Sequence, residues 1–247
     1  MTAALTAAAK RIVPTPLAVK LLAARDGMVA LRGDLLRARA AAIPFYSGLG
    51  DSANLLYGLV RSMKPQVCVE IGSARGRSTC FIGIALKENG HGTLFAIDPH
   101  TTTSWNDEPN VDTYSIIRRN VARLGIEKQV KLIRATSQQA AAHWQLPIDL
   151  LFIDGDHAYE GVKRDWDSFQ HLMNPFGLVV FHDTIWDLRP DPNWFRPDMG
   201  VPRFVEELRE QGYPVITVDR DCGVSLVQPT IGGQALRARP NRSNASS

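Results

Sequence analysis

The segment Val67–Thr79 constrains the fold of this chain more than any other stretch of it. An apolar run that includes the acid Glu70 ends at Ile71, and two glycines, Gly72 and Gly76, follow before a run of small residues. This order predicts a buried strand, a tight turn and a helix that begins just after the turn. The free backbone N–H groups at such a helix N-terminus favour a carboxylate or phosphate ligand.

A second acid lies at the corresponding place in the next predicted strand. The apolar run Thr93–Ile97 ends in Asp98, and in doubly wound folds an acid at this position binds the ribose hydroxyls of a nucleoside. Glycines alone would fit any strand-to-helix turn that needs them. Together with Asp98, the two glycines indicate a site for a nucleoside cofactor.

The composition agrees with one large α/β domain that carries extensions. The chain has 247 residues, of which 45% are hydrophobic, and this is enough for a substantial core. The net charge of +3 is small and diffuse, so we expect no nucleic-acid partner. The three cysteines lack metal-binding spacing and predict free thiols. With no apolar stretch near the roughly 18 residues of a membrane span, and no signal-like block, we expect a cytoplasmic protein.

From Pro65 onward, apolar strands alternate with helical segments, and this alternation predicts a Rossmann-like, doubly wound α/β fold. The predicted strands are 67–71, 93–97, 130–134, 149–153, 177–182, 214–218 and 223–227, and the predicted helices are 77–88, 112–124, 137–142, 158–173 and 201–211. Too few residues join the last two strands for a crossover helix, so that pair must be antiparallel. We therefore expect a seven-stranded, mainly parallel sheet with a terminal antiparallel hairpin.

The chain divides into three parts. Residues 1–62 are rich in Ala, Leu and Arg with helical spacing, and their prolines predict two or three short helices. This N-terminal helical extension is expected to cap the cofactor site or to form the interface of a homo-oligomer, with a membrane-surface helix as the less favoured alternative. Residues 63–230 are the predicted cofactor-binding domain, and residues 231–247 are a predicted disordered tail.

Acids and histidines follow two neighbouring predicted strands. The fourth strand is followed by Asp154, and the fifth ends in His182-Asp183. Two carboxylates at one sheet edge repel each other unless a cation lies between them, and hard oxygen ligands suit Mg²⁺. The structural alternative is that the acids only cap helices, as Asp156 can do for the following helix. His182 is either a nitrogen ligand that favours a softer metal or a residue that orients the ligands.

His157 is the candidate general base. It lies three residues beyond Asp154, on the turn that opens the next helix. An imidazole has a pKa near neutrality and can take a proton from a hydroxyl held at the metal. The alternative is a histidine with a purely structural role.

Residues 70–78, Glu-Ile-Gly-Ser-Ala-Arg-Gly-Arg-Ser, resemble the first motif of class I S-adenosylmethionine-dependent methyltransferases. The resemblance covers about residues 65–228 and is closest to the branch shared by catechol, caffeoyl-CoA and macrolide-sugar O-methyltransferases. Within it, Asp98 matches the ribose acid, and Ser137 and Gln138 lie in the segment that resembles the adenine lining. The cofactor-binding residues that the resemblance implies are Glu70, Gly72, Ser73, Gly76, Ser78, Asp98, Ser137, Gln138 and Asp154.

The same resemblance implies a metal site and a base. Asp154 and Asp183 match the metal-binding acids of that branch, and His182, the third implied ligand, stands where the family usually has an acid. His157 falls where the catechol-type enzymes carry a lysine base and the macrolide-sugar enzymes a histidine. The implied cofactors are S-adenosylmethionine and Mg²⁺ or another divalent cation.

The resulting expectation is an S-adenosylmethionine-dependent, Mg²⁺-dependent O-methyltransferase that acts on a hydroxyl of a small molecule or glycosylated metabolite, such as a sugar or phenol. A nicotinamide-dependent oxidoreductase and a non-catalytic module of the same fold are the alternatives. The segment from Ile185 to Pro202 contains Trp186, Trp194 and Phe195 and is a candidate substrate lid, although ordinary loop packing explains it equally well.

Overall fold

The computed structural model describes residues 15–101, 111–186, 196–231 and 234–235. Its helices are α1 (Thr15–Ala41), α2 (Ser52–Met63), α3 (Arg77–Asn89), α4 (Thr113–Leu124), α5 (Ser137–Ala141), α6 (Tyr159–Phe169) and α7 (Val201–Glu210). Its strands are β1 (Val67–Ile71), β2 (Thr93–Ile97), β3 (Val130–Ile133), β4 (Ile148–Ile153), β5 (Met173–His182), β6 (Val215–Val218), β7 (Val224–Val227), β8 (Thr230–Ile231) and β9 (Gln234–Ala235).

Seven strands form one sheet in the order β3-β2-β1-β4-β5-β7-β6. Strands β1 to β5 pair in parallel, whereas β7 runs antiparallel to both β5 and β6. The predicted Rossmann-like sheet with its antiparallel terminal hairpin is therefore confirmed. Strands β1 and β4 are neighbours at the centre, so the chain segments that follow them meet at one edge of the sheet.

Helices cover both faces of the sheet, which explains why the central strands are apolar almost throughout. Alternate residues of one strand face opposite cores: Cys68 packs towards α2, α3 and α4, and Val69 packs towards α6 and α7. The same alternation separates Leu150 from Leu151 in β4. The sheet is therefore buried between two hydrophobic cores, and this packing holds the polar residues at the strand ends in fixed positions.

The N-terminal helices are longer than the proline pattern predicts. Helix α1 has 27 residues, and Pro16 lies in its first turn, where the missing backbone N–H leaves no intrahelical bond unmade. Pro44 does separate α1 from α2, as predicted. At the other end of the domain, α6 ends at Phe169 and a short 3₁₀ turn leads into β5 at Met173, four residues before the predicted start of that strand.

Part of the sequence-based interpretation falls outside the described residues. Trp194 and Phe195 of the candidate lid lie there, as does the segment 236–247 of the predicted tail. Of that tail, residues 234–235 pair with 230–231 as a short antiparallel hairpin. Among the described helices, none combines the length and the apolar character that crossing a membrane requires.

Candidate functional site

The glycine turn after β1 packs directly against the end of β4. The backbone N–H of Gly72 donates to the carbonyl of Ile97 at 2.9 Å, and Gly72 has φ +87°. A Cβ at this position would lie 2.1 Å from the carbonyl oxygen of Asp154. Gly76 has φ +90°, and a Cβ there would lie 2.6 Å from Cγ1 of Ile117. Only glycine permits these approaches, and the approach at Gly72 brings the predicted cofactor turn next to Asp154.

Glu70 is fully buried and ties β1 to the start of α3. One carboxylate oxygen accepts from the hydroxyl of Ser78, and the other accepts from Thr79 at 2.5 Å. Burial raises the pKa of Glu70 to about 7, while the two hydroxyl donors act in the opposite direction. The described contacts of Glu70 and Ser78 therefore hold the turn in place, and their contact with a cofactor stays a prediction.

Asp98 directly follows β2, beside the glycine turn, and is partly exposed. Its Oδ2 accepts from the backbone N–H of Ala74 at 2.8 Å, and its Oδ1 accepts from that of His100 at 2.6 Å. Each carboxylate oxygen has a second lone pair, so Asp98 can also accept from two hydroxyls of a ligand. Ala74 and His100, the two residues that donate to Asp98, both have positive φ, +41° and +52°.

The other predicted cofactor residues lie in different environments. The hydroxyl of Ser73 is buried and has no hydrogen-bond partner among the described residues. Ser137 begins α5 and donates its hydroxyl to Oδ1 of Asp165 at 2.5 Å, whereas Gln138 is exposed. Burial raises the pKa of Asp165 to about 6.

The chain segments after β4 and at the end of β5 bring the predicted metal ligands together. One ligand atom each from Asp154, His182 and Asp183 lies within 4.8 Å of the others. Nδ1 of His182 is 3.1 Å from Oδ1 of Asp154 and 3.3 Å from Oδ1 of Asp183. Nε2 of His157 is 3.4 Å from Oδ1 of Asp154 and 3.2 Å from Oδ2 of Asp183. We call these four residues the acid–histidine cluster.

Mutual charge dominates the electrostatics of this cluster. Burial alone would lower the pKa of His182, but the negative charges of Asp154 and Asp183 raise it well above its usual value. The pKa of His157 is also raised, although less: burial lowers it, but the hydrogen bond to Asp154 and the charge of Asp183 raise it more. Burial would raise the pKa of Asp154, yet the two histidines hold it below its usual range. Positive charge at this place thus compensates the negative charges of Asp154 and Asp183.

The orientation of the His182 ring fits a metal ligand. Its Nε2 lies 3.1 Å from the carbonyl oxygen of Asp221, and a carbonyl can only accept, so Nε2 carries a proton and donates it. Nδ1 is then the nitrogen that faces the two carboxylates, and a cation that replaced its proton there would bind its lone pair. A metal-binding imidazole typically donates its second N–H to such a carbonyl. Oδ1 of Asp183 is also buried without a hydrogen bond from any described residue, so the donor set suits a divalent cation.

The sequence predicted every member of the acid–histidine cluster but missed two residues that contact the site. Asp165 reaches Ser137 from α6, and Asp221 reaches His182 from the turn between β6 and β7. Neither contact has a local signal, because 28 and 39 residues separate the partners. An acid in the middle of a helix, or in a turn rich in Asp, has no pattern that would single it out.

Comparison with known proteins gives a family for the central part of the chain. Residues 69–184 match the family model Methyltransf_24, described as a methyltransferase domain. Protein y4gI of Sinorhizobium fredii (strain NBRC 101917 / NGR234) is 27% identical over 157 residues, which are 58% of this chain and 17% of that protein. Protein R132 of Acanthamoeba polyphaga mimivirus is 28% identical over 121 residues, 47% of this chain and 50% of that protein. The chain thus spans half or less of these relatives.

Several solved methyltransferases share the fold. They include the S-adenosylhomocysteine-bound methyltransferase PaMTH1 of Podospora anserina, with a TM-score of 0.59 and 16% identity over 88% of this chain and 97% of that one. The O-methyltransferase TomG of Streptomyces achromogenes, bound to S-adenosylmethionine, has a TM-score of 0.57 and 19% identity over 82% and 89%. An O-methyltransferase of Bacillus cereus bound to S-adenosylhomocysteine has a TM-score of 0.53 and 18% identity over 80% and 90%. The family match and this fold confirm the resemblance indicated by the sequence motifs.

Proposed function

We propose that this chain, whose residues 69–184 belong to the methyltransferase-domain family, transfers a methyl group from S-adenosylmethionine to a hydroxyl of a small molecule or glycosylated metabolite. The observation that carries the proposal is the close packing of two sites. The glycine turn after β1 touches Asp154, and Asp154 belongs to the acid–histidine cluster. A cofactor in the turn and an acceptor at the cluster would therefore be neighbours, as a direct methyl transfer requires.

The residues around the turn support the choice of cofactor. Asp98 offers two partly exposed carboxylate oxygens whose positions are fixed by the backbone of Ala74 and His100. We assign it to the ribose hydroxyls, and we assign Ser73 and the start of α5 to the remaining polar groups of the cofactor. TomG and the Bacillus cereus enzyme are O-methyltransferases bound to S-adenosylmethionine or its demethylated product, which supports oxygen as the methylated atom.

The acid–histidine cluster supports a divalent cation, Mg²⁺ in the first instance. Asp154, Asp183 and Nδ1 of His182 would hold it, and a bound cation would supply Lewis acidity toward a hydroxyl acceptor. Because two of its three ligands are carboxylates, the set suits a hard cation, while the single nitrogen also admits Mn²⁺. His157 lies between the same carboxylates, which raise its pKa against the effect of burial. A cation bound to them would offset their charge, and the neutral imidazole of His157 would then be placed to take the proton that the hydroxyl loses.

The burial of the cluster supports a small acceptor group. The side chains of His157 and Asp154 are 20% and 16% exposed, and that of Asp183 is 3% exposed. A single hydroxyl-bearing ring, as in a sugar or phenol, can reach such a site, whereas a broad polymer surface cannot. A cytoplasmic location and the lack of a nucleic-acid partner stay predictions.

We also propose that the chain forms a homodimer through α1. Leu21, Met28, Leu31 and Leu35 are between 57% and 70% exposed on this helix. Together with two alanines they repeat with heptad spacing, at the a and d positions of a two-stranded coiled coil. The positions are Leu21, Ala24, Met28, Leu31, Leu35 and Ala38. In a parallel pair, Asp34 of one helix would also lie near Arg39 of the second copy, with complementary charge.

A methyl-transfer screen tests the function. Sugars, phenols and glycosylated metabolites would be offered with S-adenosylmethionine, with and without a chelator, and product would be followed by mass spectrometry. We expect transfer to stop in EDTA and to return with Mg²⁺ or Mn²⁺, and we expect Asp154→Ala and Asp183→Ala to behave like chelation. Asp167→Ala, which removes an exposed acid paired with Lys163, is the matched control. Full turnover in the chelator would remove the cation from the proposal.

A further inference from the structure

We propose that Asp221 is a positioning residue for the acid–histidine cluster. Its backbone carbonyl fixes the ring of His182, and its carboxylate fixes that carbonyl by binding the start of α2. The inference rests on the proposed function, because it takes His182 as a ligand of the divalent cation. It concerns a residue outside the cluster itself, in the turn between β6 and β7.

The first step is the orientation of the ring. With Nε2–H donated to the carbonyl of Asp221 at 3.1 Å, the imidazole of His182 cannot flip without losing that bond. Nδ1 is then held 3.1 Å from Asp154 and 3.3 Å from Asp183. If the ring turned over, Nε2 would face the carboxylates and the geometry of all three ligand atoms would change. The carbonyl of Asp221 thus determines which nitrogen is offered to the cation.

The second step is that this carbonyl is held in a costly backbone conformation. Asp221, Cys222 and Gly223 have successive φ values of +47°, +64° and +92°. Two of these residues are not glycines, and left-handed backbone at such residues persists only where surrounding contacts maintain it. Two hydrogen bonds flank the turn, from Gly223 N–H to Arg220 at 2.9 Å and from Ile185 N–H to Cys222 at 3.0 Å.

The third step is the contact that maintains the conformation of Asp221. Its Oδ2 accepts from both the backbone N–H and the hydroxyl of Ser52, at 2.7 and 2.9 Å. Ser52 is the first residue of α2, where N–H groups lack intrahelical partners and a carboxylate is favoured. Gly50 makes room for it, because a Cβ there would lie 2.5 Å from Cγ of Asp221.

The same loop also reaches the cofactor side of the site. The carbonyl of Gly50 accepts from Nε of Arg77 at 3.0 Å, and Arg77 directly follows Gly76 at the start of α3. The segment Gly50–Ser52 is therefore bonded at one end to the turn that holds His182 and at the other to the glycine turn. Through Asp221, the start of α2 takes part in shaping the acid–histidine cluster.

The test compares Asp221→Ala with Asp221→Asn in the full-length protein. Asparagine keeps an acceptor for Ser52 and tolerates left-handed backbone, whereas alanine does neither well. We expect Asp221→Ala to bind Mn²⁺ 10- to 100-fold more weakly, measured by the electron paramagnetic resonance of free Mn²⁺. We expect Asp221→Asn to stay close to the wild type. Calorimetric affinity for S-adenosylmethionine should change little in either variant.

A second readout does not depend on the metal. The Nε2 proton of His182, held by a carbonyl, should give a slowly exchanging downfield proton resonance, which Asp221→Ala should lose and Asp221→Asn should keep. Arg209→Ala, which removes an exposed ion pair with Glu206 on α7, should change neither readout. Should Asp221→Ala fail to fold, Ser52→Ala removes one of the two bonds to the carboxylate and should move both readouts in the same direction.

The outcomes separate this inference from the proposed function. If Asp221→Ala folds and retains both its Mn²⁺ affinity and the His182 resonance, Asp221 has no positioning role. If the wild type binds no Mn²⁺, the metal assignment fails, and the inference, which takes His182 as a ligand, falls with it. In that case the loss or retention of the resonance still shows whether Asp221 orients the ring.

Discussion

At the scale of single residues, His157 is the group whose contribution can be separated from that of the metal ligands. Its Nε2 lies 3.2 to 3.4 Å from oxygens of Asp183 and Asp154, so it shares their site without lying in the group of three candidate ligands. If His157 only filled space there, its replacement would lower the stability of the fold. If His157 instead removes the proton of the acceptor, its replacement would lower turnover alone.

We therefore expect His157→Ala to lose about 10²–10⁴ in turnover, the usual contribution of a positioned acid or base, with cofactor affinity nearly unchanged. Steady-state methyl transfer and calorimetry with S-adenosylmethionine measure the two quantities. His143→Ala, which changes an exposed histidine, is the matched control. A sugar hydroxyl should show a larger loss than a phenol, because its proton is harder to remove. Turnover near the wild-type rate would leave His157 with a structural role only.

Most of the candidate site could be predicted because its residues follow strand ends. Once the parallel order of β1, β2, β4 and β5 is inferred, Asp98, Asp154 and the pair His182-Asp183 must lie along one edge of the sheet. Asp165 and Asp221 could not be predicted, because their contacts depend on how α6 and the β6–β7 turn pack against distant residues. The orientation of His182 was open for the same reason, since the carbonyl that fixes it belongs to Asp221.

At the scale of the elements, the glycine turn joins the predicted cofactor site to the acid–histidine cluster. Gly72 has a left-handed backbone, and the carbonyl oxygen of Asp154 occupies the space that a side chain at this position would need. Gly90, which ends α3, has a similar φ of +76°, but a Cβ added there would meet nothing within 4 Å. The two glycines thus separate the cost of the backbone conformation from the cost of close packing.

We expect Gly90→Ala to lower the free energy of unfolding by about 1–2 kcal/mol, the cost of a left-handed non-glycine residue. Gly72→Ala should cost clearly more, because β1 and β4 must also move apart, and it should weaken both S-adenosylmethionine and Mn²⁺ binding. Denaturant unfolding and calorimetry on the two variants measure these effects. Equal losses in both variants, with ligand binding intact, would show that the turn and the cluster are not coupled.

Element boundaries differed from prediction where packing or chain geometry outweighs local pattern. Helix α1 continues through a proline that lies in its first turn, because the sequence signal for a break is harmless at that position. Strand β5 begins before its apolar run, since Met173 already pairs with Ile148 of β4. The antiparallel end of the sheet was predictable, because the length of a connection limits the possible pairing.

At the scale of the whole molecule, the buried Glu70 links stability to pH. Burial raises its pKa from the ordinary 4.5 to about 7, although Ser78 and Thr79 act against this. The folded protein then holds the proton more tightly than the unfolded chain. The contribution of this group to stability is full below about pH 4.5 and is lost as the pH rises to about 7.

As the pH rises between these two values, we expect the ionisation of Glu70 to lower the free energy of unfolding by about 3 kcal/mol. This figure is the pKa difference multiplied by about 1.36 kcal/mol per pKa unit. Glu70→Gln cannot ionise and should lack this loss, so its stability relative to the wild type should improve as the pH rises. Denaturant unfolding at pH 5 and pH 8 gives the comparison. Asp165→Asn, at a second buried acid with a pKa near 6, should show the same sign with a smaller size. A pH slope equal in Glu70→Gln and the wild type would contradict the assignment.

Helix α1 presents two faces to its surroundings. Its inner face packs on the domain, where Ala40 is fully buried and a Cβ on Gly33 would lie 2.0 Å from Oε1 of Glu88. Its outer face carries the heptad seam of Leu21, Met28, Leu31 and Leu35. Because the inner face already fixes the helix to the domain, the seam can meet a second copy without further ordering of the chain.

We expect the wild type to sediment as a dimer and Leu31→Asp to sediment as a monomer, since a charge at a d position must lose its water in the seam. Phe176→Asp is the matched control, because it changes a side chain that is 74% exposed on β5 rather than on α1. Paired cysteines define the orientation: Leu21→Cys should cross-link with itself in a parallel dimer, whereas an antiparallel dimer requires Leu21→Cys opposite Ala38→Cys. A wild type that stays monomeric but binds anionic vesicles, with Leu31→Asp released from them, would instead assign the seam to a membrane surface.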